Sequence, residues 1–546
     1  MDLHSPTSPI MSESQDSTEL QPSKTVVFDE EDFSEQPTSE PDPKSRPWVR
    51  RGTTLHTVES RVFHRAYIIR RPRTLQFYHP EISGSTTPLE KQLSREPTSM
   101  NREPSNISNE SSTDSQKEER STGDPIKQYE RVDLFIDLIW VGIIANLSAS
   151  FGEQAFGENT GLTIGEATGE FVLLFIPIWR MWDYLREYIG NFYKDDLTDR
   201  NFIVWILILS VLYGVNAPFA FSPVDEGNSL KLLIAIYLVA RASFLGAQLI
   251  QAMFIPFLRR QFLFQLVSTV VTGGLWIAAI YIQYPSKFAL LILANALEQP
   301  LAMLHASPVG DKLLSGGWKR TVNVDRYVER HEGFFIIILG EGVFRLIEGS
   351  PSGMGINSHT GTVLTALLLY YILHWIYFNG DQSKSFVHAV RRTWWKPFLW
   401  KFLHIIMFGA LLILAASVLF IVKSNKISTA IGEDGTDPEV AIERSTHYAV
   451  WSASATLALT VFCMTCVALL NRALDKPHTL VVSSRWIRLA PRVPAIVLIM
   501  CLPLMHLTGS AWCGLATIIV YVVFLWESFA GLEKDWRWFE PKDEEE

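Results

Sequence analysis

Two carboxylates set in a run otherwise fit for lipid are the first residues in this chain that could do chemistry. Asp133 and Asp137 lie in residues 129–148, the first long apolar stretch, which follows a polar tail of 125 residues or so. A spacing of four stacks both acids on one face of a helix. Asp137 then falls about 9 Å inward of Arg131, at about 1.5 Å per residue. An ionised group at that depth costs about 2.5–3.5 kcal/mol on insertion scales, so it needs a protein or water partner. More ionisable residues interrupt later apolar runs: Arg180, Asp183, Arg241, Glu298, Glu329, Arg330, Glu341, Arg345, His374 and Glu527.

Deep carboxylates and imidazoles can take up and release protons, as a proton relay requires. Transport or proton-relay roles are therefore assigned to Asp133, Asp137, Glu329, Glu341, Glu298 and His374. Arg131, Arg180, Asp183, Arg241, Arg330 and Arg345 are their expected charge partners. A purely structural account is also open. Arg180 and Asp183 at i, i+3, and Glu341 and Arg345 at i, i+4, can neutralise each other within a helix. Arg241 and Glu298 can pair across helices as packing. For Asp133/Asp137 and Glu329/Glu341 together function is favoured, because several uncompensated acids in two helices are costly to keep. In Leu339-Gly-Glu-Gly342 the glycines permit either a packing notch or a local break beside Glu341.

The elements that must position these groups are spans. Apolar runs of membrane length fall at roughly 132–150, 170–189, 201–221, 230–255, 261–283, 286–304, 327–347, 359–379, 398–422, 446–470, 493–508 and 511–530. The expected fold is all-α, a polytopic membrane helix bundle of about twelve spans, with the eleventh short enough to be re-entrant. Seventeen Lys and Arg fall in the loops on the tail's side and three on the other, which predicts both termini in the cytoplasm. Twelve spans with like-facing ends divide into parallel halves, 126–305 and 306–532. A short echo accompanies that division: Glu130-Arg131-x-x-x-Phe135 opens span one and Glu329-Arg330-x-x-x-Phe334 opens span seven.

Residues 1–125 are Ser-, Thr-, Pro- and acid-rich, too polar to offset chain entropy, and a disordered cytoplasmic tail is expected. A basic, aromatic patch at about 46–80 suits anionic lipid headgroups or docking on the body's cytoplasmic face. Residues 533–546 form an acidic cytoplasmic end. The net charge of −9 is partly the tail's and is not read as repulsion of nucleic acid or membrane; no nucleic-acid partner is expected. Cys463, Cys466, Cys501 and Cys513 all lie in apolar runs, where small packing residues are expected rather than disulfides or metal ligands. No H-E-x-x-H, G-x-S-x-G, P-loop or dinucleotide fingerprint occurs, so no enzyme activity, metal or cofactor is expected.

Three segments in order carry a resemblance. Asp133-Leu-Phe-Ile-Asp137-Leu is similar to an E-L-F-F-D-L first helix. Trp182, Tyr188, Asn191 and Asp195-Asp196-x-x-x-Arg200 are similar to a W…Y…N…D-D-x-x-x-R region. Glu329-Arg330 with Phe334, Ile336-Ile337 and Leu339-Gly340-Glu341 is similar to an E-R…F…I-I…L-G-E segment. Together they resemble the low temperature requirement A (LtrA) family of multi-pass membrane proteins, in a fungal-type form. The resemblance implies a membrane location and a link to growth in the cold, and no defined biochemical activity. Arg131-x-x-x-Phe135-x-Asp137 also resembles the first helix of an endolysosomal potassium channel family, with Ile136 in place of Ser. The function expected is a proton-coupled transporter of a small solute or ion. The alternatives are a channel-like pore, or a non-transporting scaffold or stress sensor.

Overall fold

The computed structural model describes residues 56–58, 75–78, 125–157, 162–193, 196–222, 227–283, 285–305, 307–315, 319–320, 324–348, 355–430, 438–476 and 478–534. The tail apart from two short strands, Asp195, and the acidic end beyond 534 lie outside the described residues. Two strands, β1 (His56–Val58) and β2 (Leu75–Tyr78), precede the helices. The first group is α1 (Pro125–Phe156), α2 (Ile164–Phe192), α3 (Leu197–Asn216), α4 (Asn228–Phe254), α5 (Arg259–Tyr281) and α6 (Ser286–His305). A linker holds the short α7 (Pro308–Ser315) and β3 (Lys319–Arg320). The second group is α8 (Val324–Ile347), α9 (Ser358–Asn379), α10 (Lys396–Ala430), α11 (Pro438–Leu470), α12 (Arg485–Leu489), α13 (Arg492–Cys501) and α14 (Gly509–Ala530), with β4 (Phe386–Val387) and β5 (Arg472–Ala473) in its loops.

Ten helical stretches are long and apolar enough to cross a membrane. The other two expected spans, α2 and α8, are as long but carry more charged residues within their apolar runs. The boundaries follow from local chemistry. Thr163 caps α2 in a reciprocal box with Glu166, and Asn357 does the same for α9 with Thr360. Asp196 caps α3 and Thr508 caps α14, each accepting from an otherwise orphaned first-turn N–H.

The first group's packing order recurs in the second. α1 packs on α2 and α3, then α3 on α4, α4 on α5, α5 on α6, and α6 returns to α2. Likewise α8 packs on α9 and α10, then α10 on α11, α11 on α13, α13 on α14, and α14 returns to α9. The groups meet where α1 and α2 touch α8 and α10. α10 is the hub, with 83% of its membrane-length stretch buried. Small antiparallel pairings finish the loops: β1–β2–β3 joins part of the 46–80 segment to the linker between the groups, and β4 pairs with β5.

Two expectations need correction. The eleventh span is full length, Arg485–Met505, made of α12, α13 and a 3₁₀ turn at Leu502–Met505 around Pro491, Pro494 and Pro503. Its first two turns read as a basic loop because Arg488 and Arg492 look exposed in sequence, yet they are 1% and 0% exposed. The Leu339–Gly342 segment shows no break, since α8 is continuous through it. Gly342 is instead a packing notch, where a Cβ would come within 2.8 Å of the Tyr370 ring; a Cβ on Gly340 would meet nothing within 4 Å. Gly342→Ala should therefore destabilise by about 1–3 kcal/mol and Gly340→Ala should not. Thermal unfolding of the detergent-solubilised protein checks this; equal midpoints for the two variants would remove the notch.

Candidate functional site

Helix α1 brings Asp133 and Asp137 to one face, and α8 answers with Arg326 and Arg330 at the same spacing. Arg330 donates Nη1 to Asp137 Oδ2 and Nη2 to Oδ1, both at 2.7 Å, a bidentate pair. Trp182 Nε1 on α2 donates to Asp137 Oδ1 at 3.4 Å. Arg326 Nη2 donates to Asp133 Oδ2 at 2.7 Å, and Arg330 Nε lies 3.9 Å from Asp133 Oδ1. Both rungs join residues 193 apart, so the two helices run in the same direction. Further along, Arg345 donates Nε to Glu341 Oε1 at 2.7 Å and Nη2 to the α1 carbonyl of Ala145 at 2.5 Å. Glu341 is wholly buried and its Oε2 has no hydrogen-bond partner. The deep acids Asp133, Asp137 and Glu341 are thus each met by a guanidinium, not left bare as the sequence suggested.

A second polar cluster lies where α2, α8, α9 and α10 meet. Asp183 accepts from Arg186 Nη2 at 2.6 Å and pairs through Oδ2 with Lys401 Nζ of α10. Trp179 carries the Lys401 ammonium on its face, and Tyr327 carries the Arg186 guanidinium. Beside them are two imidazoles, His331 of α8 and His404 of α10, both 0% exposed, with ring centroids 5.9 Å apart. Each Nδ1 faces a backbone carbonyl, Tyr327 O at 2.9 Å and Trp400 O at 2.7 Å, so each Nδ1 carries the proton and Nε2 the lone pair. His404 Nε2 accepts from the Tyr377 hydroxyl at 2.9 Å, while His331 Nε2 has no partner.

A third cluster sits inside the first group around Glu298. Arg180 Nη1 is 2.7 Å from Glu298 Oε2, and Arg241 Nη1 donates to Oε1 at 2.6 Å. Tyr237 and Trp276 donate to the same carboxylate at 2.9 and 3.2 Å. Arg241 also reaches Thr272 Oγ1 at 2.8 Å, and Arg180 Nη2 reaches Asn295 O at 3.2 Å. Arg180 and Asp183 therefore do not neutralise each other; each is claimed by another helix. In the second group Arg492 binds Glu527 through Nε and Nη2, at 2.5 and 2.9 Å.

The remaining expected residues scatter. Glu329 lies on an exposed face of α8, away from Asp133 and Asp137. His374 is half-buried on α9 against Phe378 and joins none of the ion clusters; its Nδ1 has no hydrogen-bond partner. Arg131 lies on α1, with its side chain outside the described portion. The W…Y…N…D-D-x-x-x-R segment is mainly architectural: Asp196 caps α3, and Tyr188 donates to Asp199 Oδ1 at 2.6 Å. Asn191 is half-buried and Arg200 exposed. Sequence reading missed Lys401 and His404, although a lysine and a histidine at i, i+3 inside the most apolar helix are a usable signal.

A model of the family described as bacterial low temperature requirement A protein (LtrA) matches residues 130–525, most of the chain. No curated protein matches, and no solved structure matches. The ladder itself is testable. Asp137→Leu removes the bidentate partner of the buried Arg330 guanidinium, leaves it only the longer contact to Asp133, and should cost up to about 3–5 kcal/mol. Arg330→Leu should cost a similar amount, and the double variant should be less destabilised than the two singles summed, by a coupling of about 0.5–3 kcal/mol. A double variant as unstable as the summed singles would show that the two side chains do not act as a pair.

Proposed function

This chain belongs to the low temperature requirement A family, and from that premise we propose that it is a proton-coupled transporter of a small solute or ion rather than an enzyme. The two six-helix groups act as its moving halves. The observation that carries the reading is the two-rung ladder between α1 and α8. It joins the first helices of the two groups, at the end where both begin. Ion pairs between packed bodies are two-state elements: made when the bodies are together, hydrated separately when they part. The tail's expected cytoplasmic side makes this conformation one closed toward the cytoplasm.

The proton has a natural acceptor beside the same interface. His331 Nε2 is a buried lone pair with no partner, between Trp179 and His404 and close to the Asp183–Lys401 pair. A proton there adds positive charge next to Arg186 and Lys401, which strains the contact between α2, α8 and α10. Proton binding is in this way linked to separation of the halves.

A scaffold or stress-sensor reading has one observation in its favour. Every deep acid of the ladder and the Glu298 cluster already holds a guanidinium, as a purely structural lattice needs. Reconstituted protein separates the two. Cysteines at positions 133 and 326, in a chain with exposed Cys501 replaced by Ser, are bridged by a short thiol-specific cross-linker. Proton flux into proteoliposomes, driven by a pH step and read with a trapped dye, should fall to background on cross-linking and return with a cleavable linker. No flux from wild-type protein, together with unchanged growth in the cold for Asp137→Asn, would leave the scaffold reading standing.

A further inference from the structure

We propose that the Arg180–Glu298–Arg241 cluster is the floor of a binding site for a small monovalent anion. The first argument is charge. Two guanidiniums face one carboxylate, and all three residues are 4–5% exposed. The other side chains hydrogen-bonded to them, Tyr184, Tyr237, Thr269, Thr272 and Trp276, are neutral. Asp183, the next acid along α2, is already bound to Arg186 and Lys401. One positive charge is therefore in excess in a place that hydrates it poorly, and such a charge calls for a counter-ion. Arg180 Nε, a buried donor, has no hydrogen-bond partner among the described residues.

The second argument is the adjoining space. A small apolar cavity with room for about one water molecule lies among α2, α3, α4, α5 and α6, and Pro177, Tyr237, Trp276 and Leu291 are among its lining residues. On each helix the polar residue comes one turn away from the lining residue: Arg180 after Pro177, Arg241 after Tyr237, Asn295 after Leu291, and Thr272 before Trp276. α5 runs opposite to α2, α4 and α6, so its reversed offset puts all four polar residues at one depth beneath the cavity. Tyr237 and Trp276 belong to both, since they line the cavity and donate to Glu298.

The chemistry of the ligand follows. The adjoining cavity wall is almost wholly apolar, so an ion held beside it gives up most of its water, which penalises divalent anions such as sulfate far more than chloride or a short carboxylate. The guanidiniums supply donors that suit either. An anion at this place brings the cluster to neutrality. The inference names a ligand class for the transporter proposed above, and its test is binding rather than flux.

Full-length protein in detergent, exchanged into sulfate at fixed ionic strength, is titrated with chloride and, separately, with acetate while its thermal midpoint is read. Stabilisation should be saturable in one or both, which also assigns halide or carboxylate. Arg241→Gln should weaken it at least tenfold and Arg241→Lys should retain most of it. Glu298→Gln, which removes the competing negative charge, should tighten it several-fold. A midpoint indifferent to anion identity, or an Arg241→Gln response equal to wild type, overturns the site. Binding without flux would keep this site and remove the transport reading; flux without anion-dependent stabilisation would do the reverse.

Discussion

A carboxylate in a lipid-depth helix has no water to solvate it, and that constraint organises this protein. Several of the deep acids are met by cations from other helices, and the helices stand where those meetings occur. Asp137 takes Arg330 from the other half, Glu298 takes two arginines from two helices, Asp183 takes Lys401 from the hub, and Glu527 takes Arg492. Burial of apolar surface says which faces turn inward. It cannot fix axial position, because lipid tails and leucine side chains are nearly equivalent. The ion pairs can, since a one-residue slip of α8 would rotate Arg330 by about 100° away from its partner.

Such pairs are not cheap sources of stability. Desolvation takes back most of the Coulomb gain, and well-packed apolar replacements often do as well. What the ladder supplies is one defined register between the two helix groups. A continuous leucine seam slides; a bidentate Arg–carboxylate pair is either formed or broken. The same holds for the aromatic setting of the histidines, where Trp179, Trp182, Tyr327 and Trp400 surround His331 at centroid distances of 4.7–6.3 Å. Rigid rings hold a neutral imidazole in one pose and leave little room to adjust once it is charged.

Most of the architecture was legible in the sequence, because an apolar run of twenty residues has few other uses. The helices at all twelve expected spans came from that signal, with the eleventh shifted since Arg488 and Arg492 masqueraded as loop residues while binding Asp381 O and Glu527. Pairing was much less legible. Local spacing correctly joined Glu341 to Arg345 but wrongly joined Arg180 to Asp183, because a helix neighbour is only one of several competitors once helices pack. Asp133 and Asp137 looked bare because their cations lie nearly two hundred residues away. Arg326 precedes the apolar run at 327–347 and looks like an ordinary loop cation. Glu329 and Glu341 looked alike in one dimension, yet 12 positions apart they face opposite environments.

The ladder's long sequence separation has a consequence for biosynthesis. At about 5–20 residues per second, a ribosome needs roughly 10–40 s after making Asp137 to deliver the arginine that answers it, 193 residues later. During that interval α1 stands at the translocation machinery with two unanswered acids. It must then be kept near water or an insertion factor, or held at shallow depth, until α8 arrives. The first helix to be made is thus among the last to reach its final position, and nascent chains truncated before α8 form the natural substrates for membrane quality control.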